Sequence, residues 1–217
     1  MIKLTQKILI LSLFLFFGNL YAQRIGEIVP DTAQVIFPPV QIGGEFIFSE
    51  SGFGAGFFYE HNFTNLTRGF VNFSISEQKS ENEFERYDYW GRPYTIGKVN
   101  RVYGMPLIFG LTRRLFSEVL TDNFRPFISG GIGPSVTVTT PYNREFFSSL
   151  KYARAYPTGG AFIAFGANIG VSRTKLLGLE LRYEYQHIFG SGVETLYQVY
   201  KKNYGTFMII LKVGGLY

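Results

Sequence analysis

The chain has no cysteine, two histidines and three aspartates among its 217 residues, and only 17% of it is charged. The missing cysteines exclude a disulfide scaffold, a thiolate metal site, a cysteine nucleophile and a lipid-anchored N-terminal cysteine. No metal-ligand spacing, phosphate-binding loop or dinucleotide fingerprint is present, so neither cofactor nor metal is expected. Long apolar runs are also missing: the one clear run, residues 8–17, is shorter than the roughly 20 residues a membrane helix needs. What the chain does have is glycine and aromatic residues, with 25 Gly, 23 Phe and 15 Tyr. A disordered chain is poor in aromatics and rich in charge, so disorder is excluded.

Lys3 and Lys7 precede the apolar run, and Gly18 to Ala22 follow it. A basic start, a short apolar stretch and a small residue before a polar segment read as a signal peptide over residues 1–22. Removing it lowers the formal charge from +5 to +3. That excess is scattered along the chain, whereas a nucleic-acid partner calls for a clustered basic patch. Residues 23–39, ending in Pro38 and Pro39, precede the first strand and read as a periplasmic segment.

From residue 40 to 217 the pattern is alternation with a period of two, broken by clusters of Gly, Pro, Asn and Ser. It predicts strands at 40–49, 53–61, 69–78, 102–115, 124–138, 158–172, 178–188 and 204–217. Each is at least nine residues long, the length a tilted strand needs to cross a bilayer, where soluble strands average about five or six. In 178–188, Leu179, Leu181, Tyr183 and Tyr185 share one face, with Glu180, Arg182, Glu184 and Gln186 on the other. Eight strands leave an interior only wide enough for side chains, so the bulky apolar face is expected outside, against lipid. A soluble secreted β-sandwich or barrel is the competing fold.

Connection lengths separate the two. Connections at 62–68, 116–123 and 173–177 are short, and those at 79–101, 139–157 and 189–203 are long, with only 50–52 breaking the pattern. Short periplasmic turns facing long outer loops are the habit of outer-membrane barrels, and a sandwich has no reason to sort its loops. The expected fold is therefore an all-β, eight-stranded antiparallel up-and-down transmembrane β-barrel.

The alternating last strand with Phe207, Ile209, Leu211, Val213 and a terminal Tyr217 resembles that of the small outer-membrane β-barrel proteins, the OmpA-like or porin-family barrels. The stretches 105–110 (Met-Pro-Leu-Ile-Phe-Gly) and 125–133 (Arg-Pro-Phe-Ile-Ser-Gly-Gly-Ile-Gly) resemble their central strands. The resemblance implies location in a Gram-negative outer membrane and recognition of that last strand by the barrel-assembly machinery.

Eight charges are expected inside the barrel: Glu45, Glu60, Glu180 and Glu184 against Arg114, Arg125, Arg182 and Lys212. Buried charges must be paired, which predicts a network plugging the lumen. A narrow passive channel for small solutes is the alternative. An enzyme of the lipid A-modifying kind is not expected: near His187 the place of that family's serine is held by Phe189, and Ser191 lies four residues away. The long loops remain for an extracellular ligand, with Tyr87, Tyr89, Trp90 and Tyr94 as candidates, set against their packing on one another or at the bilayer interface. The segments at 144–156 and 193–202 are read as short surface helices.

Overall fold

A computed structural model of the chain describes residues 38–80, 83–91, 93–117, 120, 123–170 and 174–217. The expected signal peptide and residues 23–37 lie outside the described residues. Eight long strands form one closed antiparallel barrel: β1 (Val40–Ser49), β2 (Gly52–Asn62), β3 (Thr67–Gln78), β6 (Asn100–Arg114), β7 (Phe124–Pro141), β8 (Arg154–Ile169), β9 (Lys175–Ile188) and β12 (Asn203–Leu216). Each pairs with its barrel neighbour in sequence, and β12 returns to β1. At that seam the Val40 amide donates to the Tyr217 carbonyl (3.0 Å) and the Tyr217 amide to the Val40 carbonyl (2.8 Å). Closure removes the free edges that an open sheet would present.

The alternation read from the sequence becomes two walls. Along β9 the odd-numbered Leu177 to Tyr185 are exposed outward, and the even-numbered Leu176 to Gln186 are buried inside. The exposed outer wall carries Phe46, Phe57, Phe109, Ile163, Leu181 and Phe207, while the inner wall buries Glu45, Glu60, Arg182 and Lys212. A soluble barrel has the reverse arrangement, so the competing soluble fold is set aside. Outward-facing Arg101 and Arg113 on β6 bracket the apolar stretch from Tyr103 to Leu111.

The connections from β2 to β3, β6 to β7 and β8 to β9 are short and leave the strands at the end holding residues 40 and 217, here the inner end. At the outer end the β1–β2 turn takes two residues, where the Ser49 hydroxyl accepts from the Ser51 amide (3.2 Å) and donates to the Gly52 carbonyl (3.0 Å). Pro38 and Pro39 precede β1, and both carbonyls accept from Asn62, so the prolines interrupt the strand while still being held to it.

Several details differ from the sequence expectation, among them the starts of β3, β6 and β9, which come two or three residues earlier. β7 and β8 run further outward than expected, shortening the loop between them to residues 142–153. β8 ends at Ile169 rather than at 172, with Gly170 in the left-handed region (φ 96°). Residues 146–152 are helical as expected, in α1 (Phe146–Ser149) and a 3-10 turn (Leu150–Tyr152), but 193–202 is a hairpin, β10 (Val193–Leu196) with β11 (Val199–Lys201). Val and Thr favour extended backbone, and Gln198 takes a positive φ of 62° in the tight turn between the two strands. The loop at 79–99 holds a second small hairpin, β4 (Glu85–Tyr87) with β5 (Pro93–Thr95).

Candidate functional site: the barrel interior and the outer loops

Midway along the lumen, three carboxylates meet three cations. Arg182 Nε lies 2.7 Å from Glu180 Oε1 and its Nη2 lies 3.4 Å from Glu45 Oε1. Lys212 Nζ lies 2.7 Å from Glu60 Oε1, 3.5 Å from Glu45 Oε1 and 3.6 Å from Glu180 Oε2. Arg68 Nη1 lies 3.3 Å from Glu60 Oε2 and donates to Gln41 Oε1 (3.0 Å). Strand alternation places them: all point inward from β1, β2, β3, β9 and β12, so five strands converge on one knot.

Each of these cations also lies over an inward phenyl ring. Arg182 sits 4.1 Å from the centre of Phe162, Lys212 4.6 Å from Phe58, and Arg68 5.5 Å from Phe127. These rings need space on a crowded wall, and glycine supplies it. A Cβ at Gly43 would run into the Phe58 ring, one at Gly110 into Phe70, and one at Gly166 into Phe127. Small residues still make up much of the inner wall, among them Ser74, Ser76, Thr112, Ser129, Ser135 and Thr137. It also buries Phe58, Phe70, Phe127, Phe162 and Ile108, which fill what glycine leaves open. The space enclosed between Glu45, Glu60, Asn72, Ser129, Arg182 and Lys212 is about 10 Å³. That is near the minimum for a single water molecule.

Of the eight expected lumen charges, Glu45, Glu60, Glu180, Arg182 and Lys212 come together. Glu184 lies one step further out, accepting from Gln186 Nε2 (2.7 Å), whose Oε1 accepts from the Ser135 hydroxyl (3.2 Å). Arg114 and Arg125 lie at the inner ends of β6 and β7, Arg125 buried and Arg114 half-buried. Arg68 escapes the sequence reading because Gly69 reads as the start of its strand. β3 begins at Thr67, and the same alternation that turns Phe70 and Asn72 inward turns Arg68 inward too.

Buried apolar clusters lie on both sides of the knot. Phe58, Leu176 and Leu216 pack at the inner end, and Val102, Ile188, Val193 and Tyr204 at the outer end. Val193 belongs to the β10–β11 hairpin, which is tied across the mouth to the 97–100 segment. The Val99 amide donates to the Thr195 carbonyl (2.9 Å), the Tyr197 amide to the Gly97 carbonyl (2.9 Å) and Asn100 Nδ2 to the Glu194 carbonyl (2.8 Å).

The loop candidates lie on or beside the β4–β5 hairpin. Tyr89 is 95% exposed and Trp90 77%, their rings edge-to-face at 5.9 Å, and Tyr87 and Tyr94 are exposed as well. His187 faces outward at the rim, its Nδ1 2.6 Å from Asn203 Oδ1 and its ring against Phe189. Among the described residues no group of three or more His, Asp or Glu side chains is placed to hold a metal.

A closed eight-stranded barrel with an apolar exterior and a charged, filled interior is a transmembrane β-barrel. Among solved structures the chain is similar to the N-terminal β-barrel domain of Pseudomonas aeruginosa OprF, at 13% identity and TM-score 0.48, over 82% of this chain and 96% of that one. It is also similar to a major outer membrane protein from Thermus thermophilus, at 12% identity and TM-score 0.49, over 82% and 98%. The attachment invasion locus protein Ail of Yersinia pestis follows at 8% identity and TM-score 0.42, over 84% and 100%. No family model matches the chain, and no curated protein matches it.

Proposed function

We propose that this protein is a closed-lumen barrel of a Gram-negative outer membrane, with a structural or surface-interaction role carried by its outer loops rather than by transport. The observation that carries the reading is the filled interior: three ion-paired cations, three carboxylates and packed rings leave about 10 Å³ between them. A passage for solutes needs a continuous water column, and apolar clusters on both sides of the knot disfavour one. The inner end, with its short turns, faces the periplasm, and the long loops face outward. There the exposed Tyr87, Tyr89, Trp90 and Tyr94 are the surface offered to an extracellular ligand. The outward row Phe207, Ile209, Leu211 and Val213, with Tyr217 beyond it, is the signal offered to the assembly machinery.

Fractionation with heat-dependent gel mobility tests the location, and planar-bilayer recording tests the lumen. The expected result is a detergent-dependent, heat-modifiable band and no stable single-channel steps. Regular large steps overturn the closed lumen, and recovery in the soluble fraction without detergent overturns the membrane placement.

A further inference from the structure

The loop between β7 and β8 differs from the other long loops in where its apolar side chains lead. Phe146, Phe147 and Leu150 are exposed, Phe147 by 82%, and helical spacing places Phe146 and Leu150 on one side of the turn. Phe146 packs edge-on against Tyr103 (6.2 Å between ring centres) and against Phe147 (5.3 Å). Tyr103 is the outermost member of the outward apolar row of β6, so the exposed rings continue the belt upward along the outer wall. Tyr89 and Trp90, at the tip of the β4–β5 hairpin, touch each other instead.

Cations accompany these rings. Arg101 faces outward directly above Tyr103, lies 5.1 Å from the centre of the Tyr142 ring, and donates to the carbonyls of Pro141 (3.4 Å) and Arg144 (3.1 Å). Arg144 stacks 4.0 Å above Tyr152, and Lys151 is exposed on the helical turn. Between 142 and 153 the only acidic residue is Glu145.

We infer that residues 142–152 with Arg101 form an interfacial foot that lies on the outer leaflet and binds an anionic, phosphate-bearing lipid. Phe146, Phe147 and Leu150 enter the acyl boundary, and Arg101, Arg144 and Lys151 meet the headgroup phosphate. The inference rests on the membrane placement proposed above. Two features select lipid as the occupant: the continuity of the rings with the outward row of β6 through Tyr103, and the excess positive charge of Arg101, Arg144 and Lys151 over Glu145 beside them. Rings below cations is the usual order at a membrane interface.

The absence of native cysteine makes the test direct. Single variants Phe147→Cys, Phe109→Cys (mid-belt) and Tyr89→Cys (hairpin tip) are labelled with an environment-sensitive dye. Each is folded into phosphatidylcholine bilayers with or without a minority of phosphatidic acid. Lipid-borne quenchers are expected to reach the labels at 109 and 147 but not at 89. Phosphatidic acid is expected to shift the label at 147, and adding R144Q and K151Q is expected to weaken that response roughly fivefold per cation removed. Inorganic phosphate in the buffer is expected to leave the label unchanged. A label at 109 that water reaches overturns the membrane placement itself. If 109 is shielded and 147 behaves like 89, the foot alone is overturned. A phosphatidic-acid response that survives R144Q/K151Q, or is reproduced by inorganic phosphate, overturns the lipid phosphate site.

Discussion

Lys212 on β12 reaches across β1 to Glu60 on β2, with Nζ and Oε1 2.7 Å apart. Glu45, the residue of β1 directly opposite Lys212 in the ladder, contacts the same ammonium at 3.5 Å. The pair thus bridges the strand at which the barrel closes. Replacing Lys212 with Met leaves three buried carboxylates one cation short, and about 3–5 kcal/mol of stability is expected to be lost. The double variant E60Q/K212M removes a carboxylate charge together with the cation and is expected to recover part of that loss. Urea titration of barrel folding in detergent, read by the shift between folded and unfolded gel mobility, checks both. A K212M barrel as stable as wild type sinks the paired-knot account.

Glycine at the β6–β7 ladder is required by close approach. A Cβ at Gly110 would collide with the Gly130 carbonyl and the Phe70 ring, whereas the nearest heavy atom to a Cβ at Gly44 is 3.7 Å away. Gly110→Ala is therefore expected to cost about 1–3 kcal/mol through overpacking, and Gly44→Ala to be close to neutral. The same urea titration ranks the two. Equal tolerance of both substitutions contradicts the packing of ring against glycine.

The outer wall is solvated by hydrocarbon, so charge there has a depth-dependent cost. Leu181 lies midway along the outward row of β9, and Leu181→Arg is expected to lose about 2–4 kcal/mol of folding stability in bilayers. The midpoint of folding into lipid vesicles measures this. In a soluble protein the same exposed position would accept arginine with almost no effect.

The tip of the β4–β5 hairpin contributes little to the barrel. Replacing Tyr89 and Trp90 together with Ser is expected to change stability by no more than about 0.5 kcal/mol, because both rings stand in solvent. A large loss would return these aromatics to a packing role and remove them as recognition candidates.

The barrel is legible in the sequence because alternation, strand length and loop sorting all report on one physical circumstance, apolar solvent outside and crowding within. They locate the inner ends of the strands to within about three residues, close to the fraying expected of any strand end. The knot is legible in part: Glu45, Glu60, Glu180, Arg182 and Lys212 follow from parity along strands, and Arg68 is lost because glycine reads as a boundary rather than as a strand residue. Parity says which way the side chains of Arg114 and Arg125 point and nothing about their height in the lumen. The inward phenylalanines escape for a related reason: volume on one strand is balanced by glycine on its neighbour, and single-strand patterns do not carry that cross-strand relation. The 193–202 hairpin is hidden because its pairing with the 97–100 segment lies far away in sequence.

The mutual backbone hydrogen bonds of Val40 and Tyr217 join the two residues of the barrel that are farthest apart along the chain. Every other barrel ladder joins consecutive barrel strands, but this one needs the whole sheet to curl round. Until then β1 and β12 each expose a row of amides and carbonyls that hydrocarbon cannot satisfy. A half-made sheet therefore has no stable existence in the bilayer, and folding there should be all-or-none, with insertion and closure as a single slow event. Before that event the chain would need to be kept from pairing with other strands, which makes its transit to the membrane the stage most exposed to aggregation.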